Sequence, residues 1–282
     1  MVLGTEVFNE EVKSAITEAY FFLADILISK EREMKQEKIQ GGWDGWRKMI
    51  LKKKVVETSK HTSFYFIPED EKPLMMFKPG QYISVRTPET FRGEVLVRNY
   101  SLSNKAWDEE YYRITVKKDG QMSSYLHEQL SEGDILEMGP PCGWLSSENN
   151  SKPLVLFGAG TGITPLMSIL SHAVLNKRST VFIYRVHSAE MFPFKHEIDQ
   201  IIEKADDNIS MHVFYSVHKE ETVKPMEYNE EAIELMIRDT ESDFYICGPM
   251  KFTALTIEFL SKIGIDEENI QVASFGPMTN QK

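Results

Sequence analysis

The sequence predicts a mixed fold: an N-terminal α-helix, then an antiparallel β-barrel, then an α/β unit built on a parallel sheet. Three observations predict it. Apolar residues recur at helical spacing over residues 10–40, short β-branched and aromatic runs fill the stretch from Trp43 to Met138, and strands alternate with helices after Lys152. The expected divisions are 1–42, 43–152 and 153–282.

Residues 10–40 read as one long helix. Asn9 is a candidate N-cap, Glu10 and Glu11 occupy the first turn, and Gly41-Gly42 closes it. Val12, Ile16, Ala19, Leu23 and Ile26 form one apolar face. Phe21, Phe22, Leu27 and Ile28 widen that face beyond what one contact needs, so the helix is expected to pack against something.

The barrel is expected from Met49–Leu51, Val55-Val56, Thr62–Ile67, Tyr82–Val85, Val95–Leu102, Tyr111–Val116 and Ile135–Met138, separated by Pro- and Gly-containing turns. One helix, about Ser123 to Leu130, interrupts the strands. Pro140 to Lys152 has the composition of a linker. Beyond it, strands are expected at 153–157, 180–186, 209–215, 243–247 and 269–275. Helices are expected at about 164–176, 192–204, 229–238 and 250–263, which implies a parallel sheet covered on both faces.

Composition excludes several classes of function. The chain is 41% hydrophobic and 27% charged, a globular balance, and its formal charge of −11 argues against nucleic acid or an anionic membrane as partner. The basic cluster Arg47, Lys48, Lys52, Lys53, Lys54 reads as the solvated side of a strand. Two cysteines, Cys142 and Cys247, cannot make a disulfide framework or a four-cysteine metal site, and a reducing, cytoplasmic setting is expected. No signal peptide or membrane span is visible. The histidines, among them His187, His196, His212 and His218, lack metal-ligand spacing, and no metal is expected. Leu74-Met75-Met76-Phe77 reads as core.

Two stretches suit phosphate. Leu154–Phe157 runs into Gly158-Ala159-Gly160-Thr161-Gly162-Ile163-Thr164-Pro165, a strand, a tight turn and a helix start whose amides and dipole favour an anion. The spacing is GxGxG rather than the dinucleotide GxGxxG, and a Gly-rich turn without a ligand is the alternative. Asp119-Gly120 before Gln121, Met122, Ser123 and Ser124 opens a second such helix. Cys247-Gly248-Pro249-Met250 falls at another strand end, where ligands of parallel sheets collect. Arg98-Asn99-Tyr100-Ser101 combines a guanidinium, a ring and a hydroxyl that together suit a flavin. Taken alone, it is more simply a strand with an exposed arginine.

In order, Arg98-x-Tyr100-Ser101-x-Ser103, Gly120-x-x-Ser123-x-x-Leu126, Gly158-x-Gly160-Thr161-Gly162-Ile163-Thr164-Pro165 and Cys247-Gly248-Pro249-Met250 resemble the ferredoxin–NADP reductase superfamily over residues 43–282. More narrowly the chain resembles a flavohaemoglobin (nitric oxide dioxygenase) lacking most of the globin. Glu18–Ile28 is similar to the last globin helix, Gly41–Trp46 to the junction, and Glu268-Asn269-Ile270 with Phe275-Gly276-Pro277 to the C-terminus.

The resemblance implies an FAD- and NAD(P)H-dependent oxidoreductase. Arg98 would hold the FAD pyrophosphate with the amides of Gln121–Ser124, Tyr100 would stack on the flavin, Ser101 would hydrogen-bond near its N5, and Asn99 and Tyr82 would adjoin it. Gly158, Gly160, Thr161, Gly162 and Thr164 would receive the nicotinamide dinucleotide. Cys247, Gly248, Pro249 and Met250 would lie beside the nicotinamide, and Phe275 would cover the flavin. Tyr100, Ser101, Cys247 and Phe275 are thus the candidate catalytic residues. No general acid or base is required, because the hydride chemistry belongs to the cofactors.

Two departures bear on the acceptor. Ala273 stands where the family has a glutamate near the flavin–haem interface, and the helices that would enclose a porphyrin are missing, so haem in this chain is not expected. The loop Val186–Glu190 offers an acid and no cation to a 2′-phosphate, which favours NADH over NADPH. The leading expectation is an NADH-dependent flavin oxidoreductase passing single electrons to a haem or other acceptor. The alternatives are an electron-transfer subunit that docks a redox protein through its N-terminal helix, and a nucleotide-binding module without activity. Self-association through that helix, giving a homodimer, is a further expectation.

Overall fold

The structure is a computed structural model. It describes residues 10–38, 42–87, 95–143, 152–205, 207–216, 230–237 and 239–274. Asn9, Gly41 and Phe275 lie outside the described residues. The chain forms two compact units that divide between Asp44 and Gly45.

The first unit is the helix α1 (Glu10–Lys38). Its apolar side chains Phe21, Phe22, Leu23 and Leu27 are each more than half exposed. No helix is long and apolar enough to cross a membrane among the described residues.

In the second unit, six strands form an antiparallel sheet: β1 (Arg47–Val56), β2 (His61–Pro68), β3 (Tyr82–Arg86), β4 (Val97–Ser101), β5 (Tyr112–Lys117) and β6 (Ile135–Met138). Their order is β4-β3-β6-β1-β2-β5. Leu102, just past β4, bridges to Ile114 of β5, so the two edges approach and the sheet is barrel-like. The two short strands expected at 49–51 and 55–56 are one strand, carried through Lys52–Lys54 by a bulge between Leu51 and Lys53.

The basic cluster is only partly a solvated face. Lys48, Lys52 and Lys53 are exposed. Arg47 is taken up by the Asp70 carboxylate and the Pro73 and Lys72 carbonyls. Lys54 Nζ donates to the carbonyls of Leu126, His127 and Leu130 at the end of α2 (Gln121–Glu128), a cation at the negative pole of a helix. Leu74 and Phe77 are buried as expected, but Met76 is 56% exposed.

The parallel sheet comprises β7 (Leu154–Ala159), β8 (Thr180–Val186), β9 (Ile209–Tyr215), β10 (Asp243–Gly248) and β11 (Ile270–Ser274), in the order β11-β10-β7-β8-β9. The helices are α3 (Ile163–Leu175), α4 (Lys195–Glu203), α5 (Glu230–Met236) and α6 (Met250–Lys262). Alternate residues of β7 enter two separate apolar cores. Leu154 and Leu156 pack with α3 residues such as Leu166 and Leu170, and Val155 and Phe157 pack with Phe252 and Leu260 of α6. Helix α4 begins later than expected, because Pro193 and Phe194 form its entry and Phe194 takes a left-handed φ of 61°.

The chain steps from β7 to β8 and β9 on one side, then returns to place β10 on the other side of β7. The crevice between the carboxyl ends of β7 and β10 is therefore the point where strand order reverses, the usual ligand position in such sheets.

Candidate functional site

The glycine loop occupies that crevice. β7 ends in Gly158-Ala159, Gly160–Gly162 form a single 3-10 turn, and α3 starts at Ile163. Gly160 has φ 53°, and the Tyr184 hydroxyl of β8 donates to its carbonyl at 2.9 Å. Gly162 lies so close to β10 that a Cβ there would sit 1.9 Å from the Cys247 carbonyl oxygen. Only glycine permits this approach. A Cβ at Gly160, by contrast, would meet nothing within 4 Å, so that backbone faces open space.

A cleft of about 630 Å³ opens above the loop. Ala159, Gly160, Thr161, Gly162, Gly248 and Pro249 form one wall, and Lys60, His61 and Lys117 of the antiparallel sheet form the other. Val186, His187 and Met191 complete it from the end of β8. Of the residues expected at the nucleotide, the structure thus brings Gly160, Thr161, Gly162, Gly248 and Pro249 together.

The remaining expected residues stand back from the cleft. Gly158 packs against Leu166, Tyr184 and Phe182. The buried Thr164 donates its hydroxyl to the Thr161 carbonyl at 3.0 Å, so it shapes the loop. Met250 is 42% exposed at the start of α6. Cys247 is fully buried, and burial holds its thiol well above the usual range, so it is a neutral group. Ala273 pairs with Cys247 across β10 and β11.

Lys60, His61, Lys117 and Met191 are cleft residues that sequence reasoning missed. Lys117 carried a weak signal, two residues before the Asp119-Gly120 turn. Lys60 and His61 lie about 100 residues before the glycine loop and carried none.

The flavin candidates form a second group outside this cleft. β4 runs antiparallel to β3 with Tyr82 opposite Ser101 and Ile83 opposite Tyr100. Alternation therefore puts Arg98 and Tyr100 on one face of the pair, and Asn99, Ser101 and Tyr82 on the other. Ser84 Oγ donates to Asn99 Oδ1 at 2.8 Å on that second face. Burial pushes the Tyr100 phenol up to about 12, against the opposing pull of the neighbouring Arg98 charge. The exposed Arg98 donates from Nη1 to the Val97 carbonyl.

At α2, Gly120 precedes the first turn. The Ser123 hydroxyl accepts from the Asp119 amide and donates to the Gly120 carbonyl, and the Ser124 amide donates to the same carbonyl at 2.8 Å. The amides of Gln121, Met122 and Ser123 are those that a helix start leaves without an intrahelical partner. The residues present fit the groups in question. The Gly160 backbone faces the open cleft, the Gly162 approach seats the loop on β10, cations face the loop, and Arg98, Tyr100 and the α2 amides supply donors and a ring suited to a flavin dinucleotide.

Comparison with known proteins places these features. Residues 48–146 match the oxidoreductase FAD-binding domain family, and residues 156–257 match the oxidoreductase NAD-binding domain family. The chain is 34% identical over 286 residues to a flavohemoprotein of Bacillus subtilis (strain 168), covering 98% of this chain and 71% of that protein. It is 37% identical over 299 residues to a flavohemoprotein of Rhodopirellula baltica, covering 98% and 72%. Among solved structures it superposes on the flavohem-like FAD/NAD-binding domain of nitric oxide dioxygenase from Vibrio cholerae with a TM-score of 0.73, at 31% identity, covering 83% of this chain and 100% of that one. A ferredoxin reductase-like fold with matched FAD- and NAD-binding domains makes the chain an FAD-dependent NAD(P)H oxidoreductase, and its likeness to these relatives over most of their length shows that it belongs to the flavohemoprotein family.

Proposed function

We propose that the chain binds NADH in the 630 Å³ cleft and FAD along Arg98–Ser101 and the start of α2, and passes electrons singly to a haem protein. The observation that carries this reading is the approach of Gly162 to the Cys247 carbonyl, which joins the glycine loop to the Cys247-Gly248-Pro249 end at the switch point. When bound, the two cofactors supply the hydride and electron chemistry. The chain's residues supply position and charge. Gly160, Thr161 and Gly162 receive the dinucleotide, with Lys60 and Lys117 opposing its negative charge. Gly248 and Pro249 bound the nicotinamide end, and Cys247 behind them adds a neutral wall with no proton to give near neutral pH. Arg98 and the Gln121–Ser123 amides bind the flavin pyrophosphate, Tyr100 covers the ring, and Ser101, Asn99 and Tyr82 line its edge. Phe275, outside the described residues, is assigned the cover over the flavin.

In this reading the functional divisions are 1–42, 43–152 and 153–282, and the setting is a reducing cytoplasm, which suits two cysteines that are not joined in a disulfide. The test is spectroscopic. The purified protein is expected to be yellow, to contain FAD, and to show no Soret band. Anaerobic NADH is expected to bleach it and ferricyanide to restore the colour. A colourless protein that binds no FAD when offered it sinks the proposal.

The exposed apolar side of α1 supports a second element, pairing of two copies through that helix. Phe22 and Leu27 are 67% and 70% exposed, and exposed apolar surface costs roughly 25 cal/mol per Å² relative to burial. The runner-up occupant is a separate redox protein. Sedimentation of the full chain against a Phe22→Glu, Leu27→Glu variant decides it: a dimer lost in the variant supports pairing, and monomers in both refute it.

A further inference from the structure

His61 opens β2 and lies 3% exposed in the cation-bearing wall of the cleft. Its two ring nitrogens have different partners. Nδ1 is 2.9 Å from Thr58 Oγ1, and Nε2 is 3.4 Å from Thr161 Oγ1 in the glycine loop. Thr58 Oγ1 also accepts the backbone amides of Lys60 at 3.2 Å and His61 at 3.0 Å. A hydroxyl oxygen has two lone pairs and one hydrogen. With both lone pairs taken by amides, the Thr58 hydrogen must go to Nδ1. The imidazole is then neutral, with its own proton on Nε2, and that N–H donates to Thr161.

This fixes what the Thr161 hydroxyl can offer. Its oxygen accepts from His61, which leaves its own hydrogen to be donated elsewhere. The charged environment keeps the chain of bonds in this sense. Burial first, then the cations of Lys117, His127 and Lys60, hold the imidazole down at about 4. A protonated ring would carry a hydrogen on Nδ1 facing the Thr58 hydroxyl, and the directed chain would break.

We propose that His61 is a positioning residue for the nucleotide: its Nε2–H makes the Thr161 hydroxyl a one-way donor toward a phosphate of the dinucleotide. This rests on the reading of the glycine loop as the dinucleotide site and adds to it the group that orients the loop's only hydroxyl between Gly160 and Gly162. It also links the antiparallel sheet to nucleotide binding through a bond that crosses between the two sheets.

The test uses the FAD-loaded chain and ADP-ribose, a redox-silent probe that carries the pyrophosphate. Calorimetry is expected to show about tenfold weaker binding for His61→Leu and for Thr161→Val, with the double variant no weaker than either alone. His61→Gln, which keeps a side-chain N–H, recovers most of the affinity. The KM for NADH rises by a similar factor in His61→Leu while kcat changes by less than about twofold. Nitrogen-15 spectra of the wild-type imidazole are expected to show the proton on Nε2 throughout the neutral range. A proton on Nδ1, or wild-type ADP-ribose affinity in a folded His61→Leu, overturns the proposal.

Gly162→Val separates the two layers. If it also binds ADP-ribose as wild type does, the loop is not the nucleotide site and both readings fall. If it loses binding while His61→Leu retains it, only the role of His61 falls. Should His61→Leu not fold, the wild-type tautomer spectrum and Thr161→Val still decide.

Discussion

Arg113 of β5 and Glu197 of α4 form a two-pronged ion pair between the antiparallel sheet and the parallel-sheet layer, with Nη1 to Oε2 at 2.6 Å and Nη2 to Oε1 at 3.1 Å. The guanidinium is buried, also donates from Nε to Ser103 Oγ at 3.1 Å, and lies over the Phe194 ring at 4.9 Å. The Gly80 amide reinforces the same junction by donating to Ser168 Oγ of α3 at 2.8 Å. These bonds join the antiparallel sheet to the helices of the parallel-sheet layer.

Glu197→Ala leaves a buried cation without its counter-ion, an arrangement that costs about 3 kcal/mol. The expected fall in Tm is about 6 °C or more for a chain of this size. Replacing both partners, as Arg113→Met with Glu197→Leu, is expected to restore much of the loss. A Glu197→Ala protein that melts like wild type shows that the pair does not hold the layers together.

The two loop glycines are expected to differ sharply on substitution. Gly162→Ala drives a Cβ into the Cys247 carbonyl and is expected to abolish measurable NADH turnover while FAD remains bound. The Cβ of Gly160→Asn would meet nothing within 4 Å, so this variant is expected to fold with a left-handed φ that asparagine tolerates, at a cost of about 1 kcal/mol, and to lose NADH affinity because its side chain enters the cleft. Equal Tm values for the two variants would show that the Gly162–Cys247 approach is not tight.

Stability is expected to fall in acid partly through His61. Its folded value of about 4 lies below the ordinary 6.5, so the unfolded chain binds the proton more tightly. The contribution is full above about pH 6.5 and is lost progressively as pH falls toward about 4, roughly 3 kcal/mol in all. Burial also lowers His127, with the same sign. Denaturant titrations across this window are expected to give a shallower slope for His61→Gln than for wild type, and parallel slopes would contradict the buried neutral imidazole.

The cysteines are expected to separate by reactivity. Cys142 is partly exposed, whereas Cys247 is buried and its thiol is held protonated. A disulfide reagent at mildly alkaline pH should titrate one thiol in the native protein and both after denaturation. Rapid labelling of Cys247 in the native state would place it in an open site rather than behind Gly248.

NADH is expected to be preferred by kcat/KM. His187 and Glu190, past the end of β8, are exposed and present a carboxylate where a 2′-phosphate would want a cation. Steady-state ferricyanide reduction with each nucleotide tests this. A preference for NADPH of about tenfold, or ~1.4 kcal/mol, reverses it.

Local pattern by itself determined the elements and their order. β8 and β9 lie at 180–186 and 209–215 as the apolar runs require, and α6 spans Met250–Lys262 as its spacing requires. The glycine loop was legible because its glycines are demanded within one turn of chain. Where a side chain's role depends on a distant partner, periodicity was silent. Nothing in Lys52–Lys54 distinguishes the lysine that caps α2 from its exposed neighbours, and nothing near His61 announces Thr161, 100 residues on. The split of Arg98 and Tyr100 from Asn99 and Ser101 also awaited the β3–β4 register. Tertiary structure decided these points because sheet order and register bring residues together without regard to sequence distance. The cleft exists only where β7 and β10 adjoin and the antiparallel sheet faces them.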